Sequence, residues 1–107
     1  MTIQDIVAQE HISVSHMASD KPVGRVFCCD LLSVAMARAP EGSAWVTVMT
    51  NANVVAVASL TDVACVVLAE GYDYDPAAVA AAEKGQITLL RSKLPIYETA
   101  MRIGAGL

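Results

Sequence analysis

The sequence predicts an α/β domain, a single layered unit with a mainly parallel sheet of about four strands flanked by helices. Three observations predict it. Aliphatic runs, mostly rich in valine, occupy residues 23–29, 44–49, 64–69 and 87–90 and are largely apolar on both faces. Strands read this way when helices cover a parallel sheet on both sides. Between the runs lie segments of roughly 14 to 17 residues with helix signals, the span that a β-α-β crossover requires. The length of 107 residues is the usual size of one folding unit, so one core and one domain over residues 1–107 are expected.

The elements follow in order. Thr2 and, three residues on, Asp5 resemble a capping box, and Ile3, Ile6 and Val7 recur at helical spacing, predicting a short helix over residues 3–9. Residues 11–16 alternate polar and apolar side chains, the pattern of a half-buried, hairpin-like strand. Ser19-Asp20-Lys21-Pro22 reads as a turn. After the first long aliphatic run, Asp30 stands as an N-cap before Leu31, Leu32, Ala35 and Met36, and Pro40-Glu41-Gly42 ends that helix. Thr50 or Asn51 caps a helix over residues 52–60. Asp75 before Pro76 opens the next, which Gly85 closes after Lys84. Pro95 opens a last helix through Ile96, Ala100 and Ile103, with Gly104 beyond its end.

Composition excludes several classes. With 55% hydrophobic residues, 5% aromatic and 17% charged, the chain lacks the signature of disorder. Its mean hydropathy of +0.49 raises a membrane reading. A spanning helix needs about 20 apolar residues, and the best candidate, residues 54–69, is too short and carries Ser59, Thr61 and Asp62. The amino terminus has neither a basic region nor an apolar one, so no signal peptide is expected and the cytoplasm is the expected compartment. The net charge is −4 and the seven Lys and Arg are scattered, which argues against nucleic acid as a partner.

In open α/β sheets, ligands bind beyond the carboxyl ends of the strands, where helix amino termini present free amides. Here those ends carry Asp30, then Thr50, Asn51 and Asn53, then Glu70, then Ser92 between Arg91 and Lys93. Capping alone accounts for Asp30, Asn51 or Asp75 taken singly. Thr50, Asn51 and Asn53 together exceed what one helix start needs, because one cap suffices and a second Asn in the first turn is a poor helix former. These six residues, Asp30, Thr50, Asn51, Asn53, Glu70 and Ser92, form the candidate site for a small anionic ligand.

No catalytic or metal centre and no cofactor is expected. Cys28 and Cys29 are neighbours in a strand and point to opposite faces, while Cys65 is isolated in another apolar run, so all three read as core residues. Asp30 would raise the pKa of a thiol beside it, which does not favour reactivity. His11 and His16 face opposite sides of their strand, away from the rim, and read as surface residues. Tyr72 and Tyr74 flank an acidic loop as half-exposed rings, and Trp45 reads as packing or a dimer contact. A phosphate loop is absent, and the six Gly are too dispersed to make one, so no nucleotide triphosphatase or kinase centre can be built.

Several stretches carry a family resemblance. Cys29-Asp30-Leu31-Leu32-Ser33 is similar to a Gly-Asp-Leu-Leu-Ser helix start, and residues 45–48 with 50–58 to a strand-loop-helix segment. Residues 64–71 and 87–94 are similar to two closing strands. On these residues the chain from Val23 onward resembles the DRTGG domain family and the related N-terminal domain of HPr kinase/phosphorylase. The Asp-Arg-Thr-Gly-Gly run that names the family is missing, and residues 50–53 stand in that neighbourhood. The resemblance implies a regulatory, non-catalytic α/β domain of larger proteins, often dimeric and in some members beside adenine-nucleotide-sensing modules.

Two functions follow as expectations. One is a ligand-sensing regulatory domain that binds an anionic metabolite or nucleotide at the rim. The other is a protein-interaction scaffold, a homodimer or an accessory subunit of a partner enzyme, because aliphatic side chains exceed what a core of this size can hide.

Overall fold

A computed structural model describes all 107 residues. Helix α1 (Ile3–Val7) starts on the capping box: Thr2 Oγ1 accepts the Asp5 N–H, and the Asp5 carboxylate accepts the Thr2 N–H at 2.8 Å. The helix stops at Ala8, short of the expected residue 9, because the chain turns there into strand β1 (Ile12–His16). Residues 19–22 make no tight turn. They run extended and pair with the amino terminus, Ile3 N–H donating to Lys21 O and Val23 N–H to Met1 O around a Thr2–Pro22 bridge. Pro22 has no N–H of its own, so its neighbours supply these bonds.

Strand β2 (Arg25–Cys28), helix α2 (Leu32–Arg38), strand β3 (Ser43–Thr47), helix α3 (Ala52–Thr61), strand β4 (Cys65–Leu68), helix α4 (Pro76–Gly85) and strand β5 (Leu89–Ser92) then alternate as the sequence predicts. Helix α5 (Ile96–Gly104) closes the chain, with Gly104 as its last residue rather than beyond its end. The sheet order is β1-β5-β4-β3-β2. Strands β2 to β5 are parallel, and β1 joins β5 antiparallel, with a bulge between Val14 and His16. The sheet is therefore mixed, and β1 forms no hairpin with its successor; residues 17–24 carry the chain from one edge of the sheet to the other.

The strands step in one direction, and right-handed crossovers then place α2, α3 and α4 on the same face. Trp45, Val66, Leu68 and Leu89 meet Ala35, Val54, Ala58, Ala78 and Ala82 there. Alternate residues Ala44, Val46, Cys65, Val67 and Leu90 face the other way and pack on Ile3, Ile6 and Ile103 of α1 and α5. Each fully buried Val, Leu or Ile contributes roughly 1.5–3 kcal/mol. Strands β3 and β4 are buried on both faces, as expected, whereas β2 is not: Arg25 and Cys28 are exposed because β2 is an edge. Cys28 is accordingly no core residue, and Cys29 is half-buried.

Other expectations shift with burial. Trp45 is fully buried, its Nε1–H donating to Cys29 O at 2.9 Å, so it packs the core and makes no dimer contact. Tyr74 is buried rather than half-exposed, because its hydroxyl finds Leu90 O at 2.8 Å between β4 and β5. His11 is buried too. The left-handed residue that ends α4 is Gln86 (φ 57°), one position after Gly85. No helix is long and apolar enough to cross a membrane.

Candidate functional site

The carboxyl ends of β2 to β5 form one rim, and the polar residues expected there fall into two groups. The first spans the ends of β2 and β3. Asp30 is not a helix cap: the N-cap position of α2 is Leu31, which makes no side-chain cap bond. Its Oδ1 instead accepts Thr47 Oγ1–H at 2.8 Å and Val48 N–H at 2.9 Å, locking the β2 exit to the β3 exit. A carboxylate held by two donors is a stronger tie than a single neutral bond, and it outcompetes a cap on the short helix α2. Partial desolvation of its sulfur, and then the Asp30 charge, pushes the nearby Cys28 thiol up although the residue as a whole is exposed.

Thr50, Asn51 and Asn53 continue this group. Asn51 caps α3, its Oδ1 accepting Asn53 N–H at 3.0 Å, and the Asn53 side chain is left exposed in the first turn. Thr50 is not the cap. Its hydroxyl donates to Asp75 Oδ1 at 3.0 Å, and Asp75 N–H donates back to Thr50 O at 3.0 Å. Asp75 sits at the N-cap position of α4 without making a side-chain cap bond, because its carboxylate is turned toward Thr50. The sequence marks Asp75 only as a helix start; its partnership across the rim has no signal in local spacing.

The second group lies at β4 and β5. Loops after β2, β3 and β4 lead to helices on one face, and the loop after β5 leads to α5 on the other. A crevice between such diverging loops is the usual ligand position in open α/β sheets. Here backbone bonds bridge it, Glu70 N–H to Leu94 O at 2.8 Å and Gly71 N–H to Ser92 O at 2.9 Å. Glu70 and Gly71 reach these partners by both adopting left-handed backbone (φ 67° and 70°), strained for Glu70. Arg91 closes the same gap, Nε–H donating to Tyr72 O and the guanidinium pairing with Asp73 at 2.7 Å.

Ser92 is buried beneath this bridge. Its hydroxyl shares a 2.7 Å bond with Thr99 Oγ1 and accepts Leu94 N–H, so it shapes the 92–94 turn from inside. Glu70 is exposed and free of side-chain hydrogen bonds, and Lys93, in the turn whose Leu94 O accepts the Glu70 N–H, is exposed as well. The structure thus ties Asp30 to the end of β3, pairs Thr50 with Asp75, sets Asn51 and Asn53 at the start of α3 and Glu70 in the loop after β4, and keeps Ser92 below the surface.

The rim is open. A surface depression of about 220 Å³ lies at the opposite, amino-terminal end of the sheet among Lys21, Pro22, Glu41, Gly42, Asp62 and Ala64. That volume is below the roughly 300–1,000 Å³ typical of small-molecule pockets. No three His, Cys, Asp or Glu side chains converge in a geometry that holds a metal ion.

No family model matches the chain, and no curated protein matches it by sequence. Among solved structures it is similar to the CBS and DRTGG domains of the regulatory region of Clostridium perfringens pyrophosphatase, complexed with the activator diadenosine tetraphosphate. The TM-score is 0.79 at 14% identity, over 98% of this chain and 46% of that one. This chain therefore spans about half the length of that structure. The likeness bears out a DRTGG-like α/β fold.

Proposed function

We propose that this domain is a non-catalytic, cytoplasmic regulatory module that senses a small anionic metabolite or nucleotide at the carboxyl rim of its sheet. The observation that carries this reading is the union of two helix amino termini, α3 and α4, through the paired Thr50–Asp75 bonds. Helix amino termini favour anions through unpaired amides and the helix dipole. Asn51 and Asn53 supply further amide groups there, and Asp30 and Glu70 suit the hydroxyl donors of a sugar rather than its phosphates. Ser92 acts from beneath by fixing the turn that carries Lys93. The likeness of fold to a regulatory region bound to a dinucleotide activator supports the same reading.

A thermal-shift series with AMP, ATP and diadenosine tetraphosphate tests it. Ligand at 100 times its Kd adds about 2.7 kcal/mol of stability. Stabilisation by at least one of these at millimolar concentration, lost in Asn53→Ala, is the expected result. No shift with any of them overturns it.

A second reading, a scaffold acting as a homodimer or as an accessory subunit of a partner enzyme, rests on a different observation. Leu31 at the N-cap of α2, and Val34 and Met36 within it, are exposed at 59%, 37% and 46%, and β2, which precedes them, is an edge strand. Sedimentation at micromolar concentration separates the two: a clean monomer removes the homodimer.

A further inference from the structure

His11 occupies a junction that the rim does not explain. It lies where the turn after α1 enters β1, against α5, and only 7% of its surface is exposed. Neither ring nitrogen meets a hydrogen-bond partner, and Gln9 Oε1, two residues before it, is buried and unpartnered as well. Gln9 Nε2–H reaches Arg102 O across the gap to α5 at 3.5 Å. The charged groups around the imidazole are few. Glu10 precedes it, the Arg102 guanidinium of α5 acts on it, and Glu98 stands one helical turn before Arg102. Asp5 of α1 is tied into its own capping box, and Lys93, from the turn after β5, donates its backbone N–H to His11 O at 3.1 Å.

That last bond gives the position a consequence. Because β1 runs antiparallel to β5, the start of β1 stands next to the turn that carries Lys93 and Leu94, and Leu94 O in turn holds Glu70 N–H. A buried polar group without a partner costs free energy, and a buried unpaired charge costs far more. A neutral imidazole is tolerated in this corner as a ring, whereas an imidazolium beside Arg102 is not.

We propose that His11 is a proton-operated latch between β1 and the β5–α5 turn: neutral, it seats the start of β1 against α5 and holds Lys93; protonated, it leaves the corner and releases that turn. The inference stands apart from any ligand at the rim. Burial, then the Arg102 charge, lowers the His11 pKa from 6.5, with Glu10 opposing. A lowered pKa in the closed state makes the stabilising contribution complete above pH 6.5 and lost progressively as pH falls below it.

The test uses the whole chain. NMR titration of the two histidines is combined with amide exchange at pH 7.5 and pH 5, expressed as protection factors so that intrinsic exchange cancels. Opening should grow by at most about tenfold per pH unit below the open-state pKa. The expected result is a His11 midpoint below 6.5 and a several-fold loss of Lys93 protection at pH 5, with Val46 in β3 unchanged. His11→Phe should keep Lys93 protection equal at both pH values. A midpoint at or above 6.5, equal Lys93 protection in the native chain, or loss of protection everywhere at once overturns the latch. Should His11→Phe fail to fold, the native titration and exchange decide alone.

Discussion

Thr50 and Asp75 exchange two hydrogen bonds, hydroxyl to carboxylate and N–H to carbonyl, each at 3.0 Å, although they lie 25 residues apart. The pair fastens the amino terminus of α3 to that of α4 and so decides the spacing of the two helix starts at the rim.

Thr50→Val keeps the shape of the side chain and removes the donor. It should lower stability by about 1 kcal/mol in urea denaturation, the usual net worth of one hydrogen bond. The same change should weaken any nucleotide-dependent thermal shift, because the two helix starts are no longer held in register. Unchanged stability would show that the backbone bond from Asp75 suffices.

Asp30 and Thr47 form the second tie. Asp30→Ala removes the acceptor of both Thr47 Oγ1–H and Val48 N–H, leaving a fully buried hydroxyl without its partner. A loss of roughly 1–3 kcal/mol is expected. Thr47→Val should cost less, and the double variant should cost less than the sum, since both changes remove one interaction. Strict additivity in the cycle would contradict the tie.

Alkaline pH should unfold the domain in a defined order. Burial pushes the Cys65 thiol from 9.0 up to about 12 and holds the Tyr74 hydroxyl well above 10.0. Both groups prefer their protonated form when folded. Their stabilisation is therefore intact below the unfolded values and is lost as pH rises through them, beginning near 9.0 for Cys65 and steepening past 10.0 with Tyr74. Cys65→Ala should flatten the stability profile between these two values, at a cost of about 1 kcal/mol at neutral pH for the small cavity. Denaturation midpoints measured across this range check it.

Gln86 ends α4 at φ 57°, a conformation that costs an L-residue about 1 kcal/mol and glycine almost nothing. Its exposed Nε2–H bond to Glu83 O offsets little of that. Gln86→Gly should raise the melting temperature by a few degrees, about 0.5–1 kcal/mol. A lower melting temperature would mean that the side-chain bond outweighs the backbone strain.

Much of this was legible in order along the chain. Continuous apolar runs name β3 and β4 because a strand covered on both faces has no polar side to show. Thr2 with Asp5, Asn51, and Asp75 with Pro76 mark helix starts because capping acts between residues a few positions apart. The rim residues Asp30, Thr50, Asn51, Asn53 and Glu70 follow from the same logic, since parallel strands put all their carboxyl ends on one side. Local spacing marks Asp30 as a cap, whereas its partners, Thr47 and Val48, are 17 and 18 residues away. Position alone puts Ser92 on the rim surface, whereas it is buried against Thr99 of a helix on the far face.

By itself, then, the sequence determined which segments are helix and strand, that the sheet is mainly parallel, and which loops lie at its carboxyl edge. Local periodicity and capping depend on neighbours in the chain, and these are written in order. Only the tertiary structure decided that β1 pairs with β5 at the edge, that the gap between β4 and β5 is bridged through a left-handed Glu70, and that His11 is buried beside Arg102. Those outcomes depend on which groups meet after long loops close, and side chains far apart in sequence carry no mark of whom they will meet.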